Sequence, residues 1–391
     1  MSRKLIVCLD GTGNEIETNE SNILRLYKCL ERSDNQIVYY HPGVGSLDTN
    51  PFAQMFLAKP TVLLGLVAGV GLETNVLRAY KFLCENYREG DKLYFFGYSR
   101  GAYTARVLAG FINDFGLISP QEFHLIGPVF RAWRTLSGDD PRLKHAKLRV
   151  FEQAFKMTHP PIRFLGLWDT VSSLLRLKLG KGTFLEFGTH SSVNNNPSVE
   201  AVRHVLAIDE TRRFFRHQFW EDGQKFYGNR FKSRKDPPDQ DVKQIWFAGT
   251  HTDVAGSLDE KEAGLSKITM QWMRQELDDL QADSLAFRSI YYDRYVLGKA
   301  DKITKKMNLQ ISEPDPTAPL HSQMRKGWFV LEALPRLARR SRWPNQKNVL
   351  GYYLPLGQRR YIPPGSVIHP TALERRADPA TDYNPENLQD F

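Results

Sequence analysis

The stretch that decides the fold is KLYFFGYSRGAY, which spans residues 92–103. Its first part, from Leu93 to Phe96, is a compact apolar and aromatic block of the kind that forms a buried strand. The residues from Gly97 to Gly101 follow with no spacer and have the pattern G-x-S-x-G. A helix-like run from Ala102 to Ile112 comes next. This order predicts a strand, a tight turn and a helix, with Ser99 at the turn.

The order is that of a nucleophile elbow, in which a serine at a sharp strand-to-helix turn stands above the edge of a sheet. Gly97 and Gly101 would let the strand and the helix approach closely, because neither carries a Cβ atom. The start of the helix would direct backbone N–H groups toward the place where an oxyanion forms during acyl transfer. The alternative is an ordinary strand-to-helix turn with a capping serine.

The composition is that of a globular protein with a modest basic excess. The 391 residues suffice for one large or two medium domains, and contents of 41% hydrophobic and 25% charged residues are ordinary. Lys and Arg number 53 against 44 Asp and Glu, which gives a formal net charge of +9. This excess suits an anionic membrane surface or nucleic acid, but also plain solubility. The basic residues form no recognised nucleic-acid motif, so we expect no nucleic-acid partner.

The cysteines and the N-terminus argue against an exported, disulfide-bonded protein. Cys8, Cys29 and Cys84 are odd in number and form no C-x-x-C pair, so we expect buried, reduced thiols without a disulfide or a zinc site. The apolar run that starts at Leu5 is too short for a signal peptide, and no run reaches the length of a membrane span. We expect a protein that is cytoplasmic as made; its delivery elsewhere would need a non-classical secretion system.

Strands and helices alternate over the first 112 residues. The predicted strands are Leu5–Leu9, Gln36–Tyr40 and Leu93–Phe96, and the predicted helices are residues 22–30, 75–87 and 102–112. This alternation predicts an α/β fold of the α/β-hydrolase type, with a mostly parallel central sheet, flanking helices and helical insertions. Active sites in such sheets lie at the carboxyl ends of the strands, so Asp10, His41 and Ser99 should share one edge.

The remainder of the chain adds further core strands and an extension. Ile162–Trp168 and Gln244–Ala248 have the character of strands, and Val199–Ile208 that of a helix or a strand. We assign residues 1–300 to the catalytic core, with an insertion at about 119–156. Residues 301–391 form a basic, aromatic extension that we expect to pack on the core.

Two segments have the character of lipid-contacting surfaces. The glycine-rich apolar run Thr61–Leu72 fits a core helix, a lid or a membrane-dipping segment. The segment 327–342 mixes apolar residues with arginines, and its Trp328, Arg339 and Arg340 suit a helix that faces an anionic membrane or substrate headgroups. The alternative, which we favour, is a helix packed on the core with a solvated arginine face.

The serine needs a base, and the base needs an acid to orient it. The chain order in this fold is Ser, then Asp or Glu, then His, and Ser99, Asp169 and His251 have that order. Asp169 and His251 each follow an apolar strand, where the sheet edge would place them. The alternative acids are Asp209, which also follows an apolar run, and Asp253, two residues beyond His251. The competing histidines are His41, His190, His204, His217, His321 and His369.

The oxyanion hole needs two backbone N–H donors. One is expected from Arg100, the residue after the nucleophile. Counting strands backward from Ser99 assigns the second donor to the loop after the first strand, at Gly11 or Thr12. Asp10 would then be a turn-forming residue whose carboxylate is held by neighbouring N–H groups. We expect no metal and no cofactor in this chemistry.

Several motifs together resemble the catalytic domain of the type VI secretion phospholipase effectors and their uncharacterised relatives. They are 9–14 (LDGTGN), 96–106 (FGYSRGAYTAR), 166–171 (GLWDTV), 208–213 (IDETRR), 249–256 (GTHTDVAG) and 368–371 (IHPT). The resemblance extends from Leu5 to about residue 388. It implies an α/β-hydrolase fold, a Ser99–Asp169–His251 triad and cleavage of fatty acyl esters of phospholipids.

The expected function is therefore a serine ester hydrolase of the phospholipase A type, in the manner of a bacterial toxin or a defence effector. We also expect peripheral membrane contact and an immunity or adaptor protein as partner. Two alternatives stay open. A soluble esterase or thioesterase for a small metabolite would show no gain in rate at an interface. A non-catalytic binding protein with the same fold would not react with a fluorophosphonate.

Overall fold

The computed structural model describes most of the chain. The described residues are 2–11, 19–43, 60–136, 141–171, 175–176, 186–187, 193–229, 235–324, 328–329, 332–333, 335–337 and 347–391. Within them, the side chains of residues 60–70, 141–145, 151–152, 175–176, 186–187, 214 and 336–337 are outside the description.

The centre of the molecule is a parallel sheet of seven strands. Its strands are β1 (Lys4–Leu9), β2 (Gln36–His41), β3 (Lys92–Tyr98), β4 (Ile162–Trp168), β7 (Val199–Ala207), β8 (Asp241–Phe247) and β11 (Val367–Ile368). They lie side by side in the order β11-β8-β7-β4-β3-β1-β2. Two small antiparallel ribbons pair β5 (Leu175–Arg176) with β6 (Glu186–Phe187) and β9 (Arg336–Leu337) with β10 (Tyr352–Tyr353). The predicted α/β fold with a mostly parallel sheet is confirmed.

Helices cover both faces of the sheet. They are α1 (Asn22–Cys29), α2 (Pro60–Asn86), α3 (Arg100–Phe115), α4 (Ile126–Thr135), α5 (Pro141–Ala154), α6 (His251–Ala255), α7 (Gly264–Asp278), α8 (Ser289–Tyr295), α9 (Lys302–Lys306) and α10 (Pro370–Ala377). Side chains of β1 alternate between the two faces. Leu5 and Val7 join a core with α2, α3 and α4, whereas Ile6 and Cys8 join a core with α1 and α7. Burial on both faces explains why the strands read as continuous apolar runs.

Two elements differ from the sequence expectations in an informative way. The apolar run Thr61–Leu72 belongs to α2, which continues without a break to Asn86, and its Leu72 is buried in the core. The segment Val199–Ile208, which the sequence left open between helix and strand, forms β7 and crosses the middle of the sheet.

The region after residue 300 supplies the seventh strand. β11 has only two residues, too few to give a periodic signal, and it pairs with β8 at the edge of the sheet. Ile362, Ala372 and Tyr383 form a third core around Trp246. The division of the chain at residue 300 stays a prediction, because the region beyond it shares a sheet and a core with what precedes it.

The described part of the chain contains no helix with the length and apolar character that a bilayer crossing requires. Cys8, Cys29 and Cys84 are buried and free, as expected. Burial raises the pKa of Cys29 to about 12 and that of Cys84 to about 11, so these thiols are protonated at neutral pH.

Candidate active site

The turn between β3 and α3 has the geometry of a nucleophile elbow. Ser99 has a φ of 57°, a left-handed conformation that non-glycine residues rarely adopt. A Cβ atom on Gly97 would lie 2.5 Å from the Ala102 Cα atom, and one on Gly101 would lie 2.6 Å from the Asp10 carbonyl oxygen. Only glycines therefore allow this turn and this approach of α3 to the end of β1, as the sequence predicted.

The Ser99 hydroxyl begins a chain of hydrogen bonds through two further residues. Its Oγ atom lies 2.8 Å from Nε2 of His251, and Nδ1 of His251 lies 2.5 Å from Oδ2 of Asp169. All three side chains are buried, and Asp169 is fully so. Residues 152 and 82 positions apart in sequence are thus joined at one edge of the sheet.

Neighbouring strands hold the members of this chain in place. The Ser99 amide donates to the Trp168 carbonyl at 2.9 Å, and the Asp169 amide donates to the Val205 carbonyl at 2.8 Å. Asp169 itself has a φ of 42°, so the backbone turns sharply as soon as β4 ends. His251 opens the short helix α6, directly after β8. The carboxyl ends of β3, β4 and β8 therefore bring the three side chains to one point, although β7 lies between β4 and β8.

The imidazole of His251 is enclosed by aromatic rings and fixed from its backbone. The rings of Tyr98 and Phe215 each lie 4.9 Å from it between centroids. The His251 amide donates to the Glu210 carboxylate at 3.3 Å, and Glu210 in turn forms a forked ion pair with Arg212. Burial lowers the pKa of His251 below its ordinary value, and Asp169 opposes part of this shift.

A second side chain, that of Arg360, binds the same carboxylate. Its Nη1 atom lies 2.5 Å from Oδ1 of Asp169, and its Nη2 atom lies 2.9 Å from Oδ2. Burial alone would raise the pKa of Asp169, but Arg360 and His251 hold it well below its usual range. Arg360 also donates to the carbonyl oxygens of Ala207 and Phe215. Sequence reasoning missed this residue, because nothing distinguishes it among the many arginines of its region.

The two alternative acids have other partners. Asp209 accepts hydrogen bonds from the Gly249 amide at 2.8 Å and from the Tyr383 hydroxyl at 2.9 Å. Asp253 caps α6 through Thr250, and it lies 2.8 Å from Nδ1 of His321. Both carboxylates shape the turn that carries His251, and neither is the carboxylate bonded to its ring.

The competing histidines also lie in other settings. Nδ1 of His41 lies 2.5 Å from the Pro42 carbonyl, and Nε2 of His204 accepts from the Thr170 amide at 3.2 Å. His217 packs on Phe219, and His369 stacks on Phe247. His190 lies outside the described residues.

The predicted oxyanion donors are only partly described. Arg100 is the first residue of α3, so its backbone amide belongs to the N–H groups that have no acceptor within the helix. The Gly11 amide donates to the Asp10 carboxylate at 2.6 Å in this structure. Thr12 lies outside the described residues. Asp10 also accepts from the hydroxyls of Ser21 and Tyr40, which explains how a buried carboxylate is tolerated at this edge.

Of the three predicted lipid-facing residues, only Trp328 belongs to the described part of the chain. Trp328 is half-buried. Its ring lies 5.5 Å from that of Phe215, and Phe215 in turn packs on the ring of His251. Arg339 and Arg340 lie outside the described residues. In the part of the chain that is described, no group of three or more His, Cys, Asp or Glu side chains is suited to hold a metal ion.

Comparison with known proteins yields both sequence and structural relatives. An uncharacterized protein of Saccharomyces cerevisiae is 31% identical over 228 residues, which are 55% of this chain and 32% of that protein. The chain thus spans about a third of the length of this curated relative. An uncharacterized protein from Pseudomonas aeruginosa is a structural neighbour at 17% identity and a TM-score of 0.35, over 70% of this chain and 45% of that one.

A second structural neighbour is the Tle1 effector bound to the VgrG spike of the type 6 secretion system, at 16% identity and a TM-score of 0.33, over 68% of this chain and 52% of that one. Both TM-scores are below 0.5, so the family assignment rests on sequence. The family model of the type VI secretion phospholipase effectors, Tle1-like, catalytic domain, matches residues 3–276. The match ends before the late IHPT motif. With most of its length matched, this chain belongs to the Tle1-like phospholipase effector catalytic domains.

Proposed function

We propose that this protein is a serine hydrolase that cleaves fatty acyl esters of phospholipids, as a phospholipase A, with Ser99 as nucleophile, His251 as base and Asp169 as acid. The observation that carries the proposal is the hydrogen-bonded chain from the Ser99 hydroxyl through both ring nitrogens of His251 to Asp169. Membership of a phospholipase effector family supports lipid hydrolysis, and the triad supplies the ester chemistry.

In the first half-reaction, Ser99 Oγ attacks the ester carbonyl carbon while its proton passes to Nε2 of His251. The resulting oxyanion is stabilised by backbone amides at the start of α3, including that of Arg100. Collapse of the tetrahedral intermediate breaks the ester bond. His251 then gives its proton to the departing lysophospholipid oxygen and leaves a fatty acyl ester on Ser99.

In the second half-reaction, water attacks the acyl-enzyme. His251 accepts a proton from the water and returns it to Ser99 Oγ as the fatty acid departs. Asp169 keeps the Nδ1–H tautomer of His251 and stabilises the imidazolium ion in both steps. Arg360 holds Asp169 ionised and in one orientation, so Oδ2 stays directed at the ring.

The test is mass spectrometry of mixed phospholipid vesicles after incubation with wild type or Ser99→Ala. Wild type should release fatty acid and lysophospholipid, and Ser99→Ala should be at least about a thousandfold slower at unchanged stability. Ser33→Ala, which changes an exposed serine before the start of β2, at the sheet edge opposite the triad, serves as the matched control. A fluorophosphonate probe should label wild type and Ser33→Ala only. Undiminished lipid hydrolysis by Ser99→Ala would disprove the proposal.

We further infer an effector role from the family alone. If that role holds, production of wild type directed to a membrane-accessible compartment should arrest growth, and production of Ser99→Ala should not. An immunity protein would be identified as a partner that restores growth. Equal toxicity of the two chains would separate the effector role from lipid hydrolysis.

A further inference from the structure

The loop after β7 brings a buried arginine to the candidate active site with part of its hydrogen-bonding capacity unused. Arg212 is 7% exposed, and its Nε and Nη2 atoms donate to the two carboxylate oxygens of Glu210 at 2.9 and 2.8 Å. This pairing uses one edge of the planar guanidinium. The Nη1 atom, at the other edge, donates to no residue that the structure describes. Nη1 is also not among the fully enclosed unpaired atoms, so solvent reaches this edge.

Two aromatic rings hold the guanidinium in place. Its Cζ atom lies 3.6 Å from the ring centroid of Phe215 and 5.5 Å from that of Trp328. A ring against one face and a forked ion pair at one edge leave the group few ways to turn. The open edge of Arg212 is therefore preorganised, and a ligand that binds there has little side-chain entropy to remove.

This open edge belongs to a group that adjoins the proposed base. The ring of Phe215 packs on that of His251, and Glu210 accepts a hydrogen bond from the His251 amide. Burial lowers the pKa of His251, and the positive charge of Arg212 lowers it further. Burial raises the pKa of Tyr98, and the same positive charge opposes that shift. A ligand group bound to Arg212 would therefore lie beside the reacting residues.

The charges of the site favour an anion at this place. Arg212 is balanced by Glu210, and Asp169 is balanced by Arg360, so no carboxylate of these two pairs is left to repel a negative ligand. In a phospholipid the phosphodiester is the anion that lies only a few bonds from each ester carbonyl carbon. A planar guanidinium suits this group, because it can donate parallel hydrogen bonds to two phosphate oxygens.

We propose that the open edge of Arg212 binds the phosphodiester group of the lipid substrate and so selects phospholipids over neutral acylglycerols. The proposal rests on the proposed function and names the part of the substrate that this site recognises. Arg212 acts here as a specificity-determining residue, since the bond that breaks is the ester attacked by Ser99.

The test compares kcat/KM for a phosphatidylcholine with kcat/KM for the diacylglycerol that carries the same acyl chains, both in mixed micelles of one neutral detergent. The ratio of the two values cancels any general loss of activity. We expect wild type to prefer the phospholipid and Arg212→Lys to lower this preference about tenfold or more. An ammonium that pairs with Glu210 has no second planar edge for the phosphate.

Arg294→Lys is the matched control. Arg294 is 5% exposed, forms an ion pair with Asp301 and lies 5.6 Å from the ring centroid of Tyr291, so its setting resembles that of Arg212. It belongs to α8, which follows Ala286, and the Ala286 amide donates to Gln36 at the start of β2. This control should leave the preference for phospholipid unchanged.

A double variant, Glu210→Gln with Arg212→Gln, keeps the test valid if Arg212→Lys does not fold. It removes the guanidinium without leaving a buried carboxylate unpaired. The double variant should lose the preference to the same extent as Arg212→Lys. An unchanged ratio of the two kcat/KM values in either folded variant would overturn the proposal.

Binding measured in the Ser99→Ala background separates this proposal from the proposed function. Calorimetry with dihexanoyl phosphatidylcholine below its micellar concentration should detect binding that Arg212→Lys weakens about tenfold. Absence of this binding, or equal affinity for inorganic phosphate, would overturn the proposal; the second result would identify a site for a free anion. If the Ser99-containing chain hydrolyses neither lipid, the proposed function fails, whereas calorimetry still decides whether Arg212 binds the phosphodiester.

Discussion

At the scale of single residues, the carboxylate of Asp169 has an unusual pair of partners. His251 and the guanidinium of Arg360 bind it at the same time, and the guanidinium contacts both oxygens. In resting enzyme the negative charge of Asp169 is therefore already balanced. The buried site can keep this carboxylate ionised, while less of its charge is left to stabilise a protonated imidazole.

We predict that Arg360→Gln impairs both stability and catalysis. Removing one partner of a buried ion pair leaves an uncompensated charge, so unfolding free energy should fall by about 3 kcal/mol. The remaining carboxylate charge should raise the pKa of His251 and shift the acidic limb of kcat/KM to higher pH. Arg360→Lys restores the positive charge without the two parallel hydrogen bonds of the guanidinium. It should therefore restore the acidic limb of the pH profile more fully than the unfolding free energy. If the acidic limb of the kcat/KM profile does not move in Arg360→Gln, Arg360 has only a structural role.

The proposed base, His251, should remain active in mild acid. The titratable and charged groups around it are Asp169, Glu210, Arg212, Tyr98 and Ser99. Because burial lowers the pKa of His251, the neutral imidazole needed for attack persists below the usual histidine range. A pH profile of kcat/KM on a short ester should lose activity only below about pH 6.5. Loss of activity that begins above pH 7 would contradict this assignment of the base.

The sequence predicts that Asp169 and His251 lie close together, but it does not predict the contact of Arg360 with Asp169. Asp169 and His251 were identified because each follows an apolar strand, and strand ends meet at one edge of a parallel sheet. The structure brings both within hydrogen-bonding reach of one another, while their catalytic role stays a prediction. Arg360 lay beyond such reasoning, because its contact with Asp169 crosses 191 positions and depends on how a late loop folds back.

At the scale of elements, the elbow depends on the close contact between α3 and β1. Gly101 is the second residue of α3 and meets the backbone of Leu9 and Asp10. Because both neighbours are backbone atoms, neither can turn away from an added methyl group. The position of Ser99 is therefore linked to the packing of a whole helix.

We predict that Gly101→Ala costs about 3 kcal/mol of unfolding free energy or more, because it forces α3 away from β1. Gly127 provides a matched control, since it is the second residue of α4 and an added Cβ would meet only the Arg131 guanidinium, at 3.5 Å. Gly127→Ala should be neutral or stabilising by about 0.5 kcal/mol. Chemical denaturation of both variants checks the pair. If Gly101→Ala and Gly127→Ala are equally stable, the turn at Ser99 can accommodate the added methyl group.

Strand prediction succeeded where burial made the sequence simple. β1, β3 and β4 are buried on both faces, and their apolar runs gave bounds within two residues of the structure. β11 gave no such signal, because two residues at a sheet edge bury too little surface to form a pattern. The unbroken length of α2 was missed because glycines divide its apolar first half from its amphipathic second half.

At the scale of the whole molecule, several histidines lie buried or half-buried around the sheet in neutral form. Burial lowers the pKa of His204 to about 3 and that of His369 to about 4, and it lowers those of His217 and His251 as well. The unfolded chain binds protons at these positions near pH 6.5, whereas the folded chain does not. Stability should therefore be complete above pH 6.5 and decrease as the pH falls toward 4.

We predict that unfolding free energy falls by about 2 kcal/mol or more between pH 7 and pH 5. Urea denaturation across this range measures it. His204→Gln should flatten the dependence, and His124→Gln, which changes an exposed histidine, should leave it as it is. A denaturation midpoint that is constant from pH 7 to pH 5 would show that the buried histidines take up protons without unfolding.

Arg360, which binds the carboxylate of Asp169, is synthesised long after it. A ribosome adds about 5 to 20 residues per second, so Arg360 is made roughly 10 to 40 s after the carboxylate that it binds. In the last part of that interval, after residue 251 has been made, a growing chain contains both Ser99 and His251, yet it lacks Arg360 and the edge strand β11. If this chain is the proposed phospholipase, it should reach full activity only after residue 360 has been made and has folded back onto the sheet.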